Sequence, residues 1–204
     1  MTWEEVDIHA ELRAVLRDRL GFAAPTDVQR EFLRFCSAKC DLIVASKTGS
    51  GKTFCYLLTV LSALFAQQDA GERGGRFIEA LILVPTRELA CQVYRECLRL
   101  LPPAYAQFRP ALVIGGLSKE KQVRILGRHP KVVVSTPGRL WDFVENEQLA
   151  PLRYLAGVRF LVLDEVDRII ELNQFKELGQ LFNFMFREVI AEQKILRDNP
   201  ELGG

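Results

Sequence analysis

The sequence predicts an α/β domain: a doubly wound parallel sheet with helices on both faces. Three observations predict it. Short, near-continuous apolar runs alternate with segments whose apolar residues recur at helical spacing. One of those runs leads directly into a Gly-punctuated turn, a Lys-Thr pair and a helix. The polar clusters of the chain fall where the runs end, which is where open parallel sheets bind ligands.

Along residues 7–20, Ile8, Leu12, Val15, Leu16 and Leu20 fall at helical spacing and stop at Gly21, giving an amphipathic helix. Pro25-Thr26 opens a second helix with Val28, Phe32, Phe35 and Cys36 on its apolar face. Residues 41–45 read as a short buried strand, and a helix opens at about Gly51 and carries Leu57, Leu58, Leu61 and Leu64. Residues 67–76 form a polar, Gly-rich loop. Residues 80–84 are a second buried strand ended by Pro85, and the helix after it turns Leu89, Val93, Cys97 and Leu100 inward until Pro102-Pro103. The alternation then repeats: strand 111–114, helix 118–126, strand 131–135, helix 138–145, buried strand 160–163 and a helical stretch 174–197. The expected organisation is a pair of helices in 1–40 packed on a core domain of 41–186, followed by a helical, charged tail over 187–204.

With 49% hydrophobic and 26% charged residues among 204, the chain can bury a real core. A net charge of +1 gives no broad electrostatic attraction to nucleic acid, so any such contact has to come from individual arginines, backbone amides and helix ends. The longest apolar run is too short to span a bilayer, and the acidic N-terminus lacks the features of a secretion signal, so no membrane partner is expected. Five cysteines at 36, 40, 55, 91 and 97 form no disulfide framework, and buried reduced thiols fit an intracellular protein.

The chemistry concentrates at the strand ends. In Ser46-Lys47-Thr48-Gly49-Ser50-Gly51-Lys52-Thr53 the glycines let successive N–H groups curl around a phosphate, and the helix start adds unpaired donors. Lys52 is placed to reach the β- and γ-phosphates, and the Thr53 hydroxyl to hold Mg²⁺. A buried strand ends in Asp164-Glu165, where the first carboxylate suits Mg²⁺ and the second suits an attacking water.

Taken together, these motifs resemble the N-terminal RecA-like domain of a DEAD-box RNA helicase, over about residues 3–186. Residues 21–29, from Gly21-Phe22 to Gln29, resemble the family's adenine-recognising Q motif, with Trp3 near its upstream aromatic. Pro85-Thr86-Arg87-Glu88-Leu89-Ala90, Gly115-Gly116 and Thr136-Pro137-Gly138-Arg139 resemble its three RNA-contacting segments on this domain. The resemblance implies a RecA-like phosphate-loop fold and an ATP-dependent RNA helicase of the nucleus, nucleolus or cytoplasm, with ATP and Mg²⁺ as cofactors. It implies Gln29 on the adenine edge, Phe22 stacked on the base, Lys52, Asp164 and Glu165 in catalysis, and sequence-independent contacts to the RNA backbone.

Three departures qualify it. Ser46 stands for the usual Ala, a small-for-small change expected to be harmless. Val166 turns the name-giving motif into Asp-Glu-Val-Asp, with all three carboxylates kept. No Ser-Ala-Thr follows, so the expectation is a half-enzyme, inactive alone, that needs a second RecA-like domain in cis or in trans. The competing readings are a non-hydrolysing nucleotide- or RNA-binding regulator and another phosphate-loop ATPase. The Gln29 motif argues against the latter.

Overall fold

A computed structural model describes residues 2–36, 40–72, 78–146, 155 and 157–198, with side chains described as far as residue 187. The chain forms two compact units, residues 1–74 with 95–109, and residues 75–94 with 110–204.

The first unit is helical. A 3-10 turn over Trp3–Glu5 precedes α1 (Ala10–Ala14), which runs on as a π turn over Val15–Arg19. Gly21, at φ 68°, ends it in the left-handed region. In α2 (Asp27–Phe35) the Thr26 hydroxyl accepts from the Gln29 backbone N–H while the Gln29 side-chain Oε1 accepts from the Thr26 backbone N–H, a reciprocal cap. α3 (Lys52–Asp69) is the unit's longest helix, and its Leu57, Leu58, Leu61, Leu64 and Phe65 are wholly buried with Leu12 and Leu16 of the N-terminal helices. A 3-10 stretch over Pro103–Phe108 adds Tyr105, whose ring stacks on Phe65 at 3.8 Å. Tyr105 and His9 both bond the Asp69 carboxylate, at 2.8 and 3.0 Å, pinning the chain's first helix to the end of α3.

Two expectations are corrected in this unit. Residues 41–45 form no strand but an exposed segment without regular structure, with Ile43 fully open to solvent. Apolar letters favour a strand, but a strand exists only where a neighbour takes up its N–H and C=O groups, and no such ladder is formed here. On α2 the buried positions are Gln29 and Leu33, while Phe35 is 54% exposed, because the helix turns its inner stripe by one position. α3 in turn takes in the start of the expected loop, continuing to Asp69, and residues 73–76 of that loop lie outside the described residues.

The second unit carries the sheet. β1 (Ala80–Leu83), β2 (Ala111–Val113), β3 (Val132–Ser135) and β4 (Phe160–Leu163) are all parallel, in the order β2-β3-β1-β4. Between them run α4 (Arg87–Leu100), which begins in this unit, α5 (Lys119–Leu126) and α6 (Pro137–Glu145). α7 (Val166–Glu171) and α8 (Phe175–Asp198) follow β4. Leu81, Leu83, Val113 and Val133 of the sheet pack with Leu126 of α5, Leu140 and Phe143 of α6, Ile169 of α7 and Leu181 of α8. The fold is the expected α/β sheet. β4, however, is the sheet's edge and only half-buried, with Leu161 41% exposed, so the expectation of a buried strand is corrected. The short helix α7 was not anticipated, and residues 199–204 of the expected tail lie outside the described residues.

All five cysteines are free, but Cys40 is exposed; only Cys55 and Cys97 are fully buried, and burial pushes both thiols up to about 12. Among the described residues no helix is long and apolar enough to cross a membrane.

Candidate functional site

In the first unit the loop of residues 46–53, expected to bind phosphate, is organised around two left-handed glycines, Gly49 at φ 78° and Gly51 at φ 94°, the second of which caps α3. No acidic residue occupies the first turn of that helix, so its start is left to attract an anion. Lys52 folds its ammonium back onto the loop, donating to the carbonyls of Ser46 at 2.6 Å and Lys47 at 3.0 Å. A cation therefore sits over the loop, held by two backbone carbonyls. The Ser46 hydroxyl lies 2.8 Å from that of Ser50, a cross-loop bond that the usual Ala cannot make. Thr53, on the first turn, is half-buried.

The segment expected to sense the base is bonded to this loop. Thr26 Oγ1 donates to the Ser50 carbonyl at 2.9 Å, and Gln29 Nε2 donates to the Gly51 carbonyl at 3.3 Å. Phe22 meets Phe54 edge-on at 5.5 Å, and its carbonyl accepts from Trp3 Nε1 at 2.9 Å. Trp3, Phe22, Gln29 and residues 46–53 thus belong to one bonded assembly.

In the second unit, the residues after β1, β2 and β3 converge on a cavity of about 330 Å³. Pro85, Thr86 and Arg87 come from the first strand's end, Gly115 from the second, and Thr136 and Arg139 from the third. Thr86 Oγ1 accepts from the Leu89 N–H, capping α4, and Thr136 precedes Pro137 at the start of α6, so two helix N-termini open here. Arg87 donates to the Gly115 carbonyl at 3.4 Å. Gly116, at φ 82°, leaves room for that guanidinium, since a Cβ there would lie 2.5 Å from Arg87 Nη1. Arg139 pairs with Asp142 at 3.6 Å and lies over the Phe143 ring at 4.6 Å, while its Nε is buried without a hydrogen-bond partner. Gly138 follows in the first turn of α6 with open space at its Cβ position.

Two lining residues stand outside the motifs: Asp142, and Gln174, which the sequence marks only as the start of the helical stretch 174–197. Gln174 donates to the Pro85 carbonyl at 2.9 Å from 89 residues away, a contact with no local sequence signal.

Asp164 and Glu165 sit at the end of β4. Asp164 Oδ1 accepts from the Glu165 N–H at 3.0 Å, and Glu165, the cap of α7, has φ 50° and ψ 53°, a left-handed conformation that is strained for a side chain of this size. Arg168 reaches the Glu165 carboxylate at 3.5 Å. Val166 is 39% exposed, so its extra methyls meet solvent rather than overfilling the core.

The sequence profile of the DEAD/DEAH box helicase family matches residues 26–196. The chain is 40% identical over 200 residues to DEAD-box ATP-dependent RNA helicase 13 of Oryza sativa subsp. japonica, covering 90% of this chain and 23% of that protein. It is 33% identical over 183 residues to ATP-dependent RNA helicase mak5 of Schizosaccharomyces pombe, covering 90% and 27%. It therefore spans about a quarter of the length of these relatives. Among solved structures it is similar to the DEAD-box helicase Mss116 bound to ssRNA and UDP-BeF, at 25% identity and a TM-score of 0.79, covering 92% of this chain and 38% of that one. A DEAD box protein from Methanococcus jannaschii matches at 28% identity and a TM-score of 0.75, covering 90% and 47%.

Proposed function

The chain belongs to the DEAD/DEAH box helicase family, and from that premise we propose that it is the ATP- and RNA-binding part of an ATP-dependent RNA helicase that acts inside the cell. The observation that carries this reading is the bonding of Thr26 and Gln29 to the carbonyls of Ser50 and Gly51. It ties a base-sensing segment to a phosphate cradle, as an adenine-selective NTPase requires. In this reading Gln29 pairs with the adenine edge, since an amide donates and accepts at once, and Phe22 stacks on the base. The N–H groups of residues 47–53 cradle the phosphates, and Lys52 moves its ammonium from the Ser46 and Lys47 carbonyls to the phosphate oxygens.

The donor types fit Mg²⁺, which takes hard oxygen ligands and keeps water and phosphate oxygens in its shell. In the first unit Thr53 offers a hydroxyl of that kind to the ion, which would offset the charge of the β- and γ-phosphates; in the second unit Asp164 offers a carboxylate. Glu165 holds the attacking water through its carboxylate. A second RecA-like domain, in cis or in trans, supplies the further cation that the developing phosphoryl charge needs.

For RNA, the pocket of Pro85, Thr86, Arg87, Gly115, Thr136 and Arg139 offers guanidinium groups, a hydroxyl and two helix starts, which suit a sugar–phosphate strand read without regard to sequence. Gly116 leaves room for Arg87 beside the pocket, and Pro137 and Gly138 open α6 after Thr136. The solved Mss116 structure, bound to single-stranded RNA, supports that choice of ligand.

Calorimetric titration with ATP and GTP in the presence of Mg²⁺ tests the nucleotide half. ATP is expected to bind more tightly; Lys52→Ala should abolish binding, and Gln29→Ala should erode the preference. Equal affinities in the native chain would overturn the role of Gln29, and no binding of either would overturn the reading as a whole.

A further inference from the structure

Ser46 stands where the resemblance expects Ala, and what the change adds is a hydroxyl. That hydroxyl lies 2.8 Å from the Ser50 hydroxyl. The Ser46 carbonyl accepts from the Lys52 ammonium at 2.6 Å, a shorter bond than the 3.0 Å that Lys52 makes to the Lys47 carbonyl. A residue at the start of the loop therefore holds both its middle and its far end. Ser50 is fixed at two further points. Its N–H donates to the Lys47 carbonyl at 3.4 Å, and its carbonyl accepts from Thr26 Oγ1 at 2.9 Å. The segment 46–52 is thus bonded across itself, and the Ser46 hydroxyl is the part of that bonding that Ala would remove.

Phosphate oxygens accept hydrogen bonds, so the loop can hold them only through its donors. The Lys52 ammonium and the Ser50 N–H are two such donors, and as the loop stands both point at its own carbonyls. A phosphate and those carbonyls compete for the same hydrogens. The bond between the two hydroxyls acts on one side of that competition. With Ser50 tied to Thr26, it keeps Ser46 in place, and with it the carbonyl that takes the shorter lysine bond. We propose that the Ser46–Ser50 bond is a brake on nucleotide capture: it stabilises the arrangement in which the loop's own carbonyls hold Lys52, and makes Ser46 a positioning residue that lowers the affinity of this site for a nucleoside triphosphate. The inference rests on the nucleotide-binding reading given above, and it concerns a hydroxyl for which the motif itself has no use.

The test is stopped-flow binding of methylanthraniloyl-labelled ATP, with Mg²⁺, to the full chain and to Ser46→Ala, Ser50→Ala and the double variant. Each single variant should bind about two- to tenfold more tightly than the native chain, the range for one neutral hydrogen bond. The gain should lie in the association rate, with dissociation unchanged, because the bond opposes the step in which Lys52 changes partners. The double variant should gain no more than either single one, since both remove the same bond. Unchanged or weaker binding in Ser46→Ala would overturn the proposal while leaving the loop's reading as a nucleotide site intact. Gains that add in the double variant, or that appear as slower dissociation, would show that the two hydroxyls act separately on the bound nucleotide, and would overturn it as well. No binding by the native chain or by any variant would overturn both. Ser50→Ala breaks the same bond from the other side, so the comparison stands even if Ser46→Ala does not fold.

Discussion

Gly51 meets two demands at one backbone position. Its φ of 94° lies where L side chains are strained, and a Cβ there would stand 2.5 Å from Gln29 Nε2 and 3.5 Å from Thr26 Oγ1. Gly51→Ala is therefore expected to cost about 1–2 kcal/mol of stability from the left-handed backbone alone. It should also push the Gln29 amide off the Gly51 carbonyl, loosening the base-sensing segment from the phosphate loop. Denaturant unfolding reads the first effect, and the ratio of ATP to GTP affinity reads the second. A stability loss with an unchanged ratio would mean that the Gln29 bond to the loop serves the fold and not base choice. Glu165 is the opposite case, a left-handed residue that carries a long side chain, and the role proposed for its carboxylate gives a reason for tolerating that conformation.

At the scale of elements, the entry ends of three strands are held by one buried carboxylate. Glu79 has a side chain only 6% exposed and meets Lys131 at 2.6 Å and Arg159 at 3.3 Å, just before β1, β3 and β4 begin. Lys131→Met leaves that carboxylate with one partner fewer and should destabilise the chain by about 3 kcal/mol, near the low end for breaking a buried pair. An unfolding free energy within error of the native value would show that Arg159 suffices. In the first unit, Asp69 is held below the usual carboxylate range, mainly by the Tyr105 hydroxyl and next by His9. A depressed folded value means that the unfolded chain takes up the proton more readily, so the contribution is present above about pH 3.9 and fades as pH falls further. The melting temperature of Asp69→Asn should thus lie below the native one at neutral pH and converge with it at acid pH. A constant gap would point to packing instead. The same elements show what was legible in advance. The strands 80–84, 111–114 and 131–135 and the helices between them are local patterns, and each stood in the sequence, whereas the stripe of α2 lies one position off the expected one. The exposure of residues 41–45 and of Leu161 was not legible, because a run of apolar letters is the same whether a neighbouring strand pairs with it or not. Among the site residues, the glycine loop and the strand-end motifs could be read by spacing. Gln174 could not, since only the folded chain brings it to Pro85.

For the molecule as a whole, the decisive quantity is turnover by the 204-residue chain. It spans about a quarter of relatives named as ATP-dependent RNA helicases, so their activity transfers to it only as a proposal. In the proposed reading Lys52 and Thr53 of the first unit serve ATP and Mg²⁺, and Asp164 and Glu165 of the second offer carboxylates, yet phosphoryl transfer also needs a cation on the charge that builds up between the attacking and leaving oxygens. The arginines placed at the pocket have other work: Arg87 bonds Gly115 and Arg139 pairs with Asp142 and Phe143, both beside the proposed RNA strand. A cation supplied from a separate domain is worth about 10³–10⁵ in rate in related phosphoryl-transfer enzymes. The chain alone is therefore expected to bind ATP, to hydrolyse it slowly with or without single-stranded RNA, and to unwind no duplex. Adding a second RecA-like domain in trans should raise the rate in an RNA-dependent way, and Glu165→Gln should abolish that rise. RNA-stimulated turnover by the chain alone at about one per second, within the ordinary range for enzymes, and lost in Glu165→Gln, would show that all the catalytic groups reside in these residues and would end the case for a partner domain.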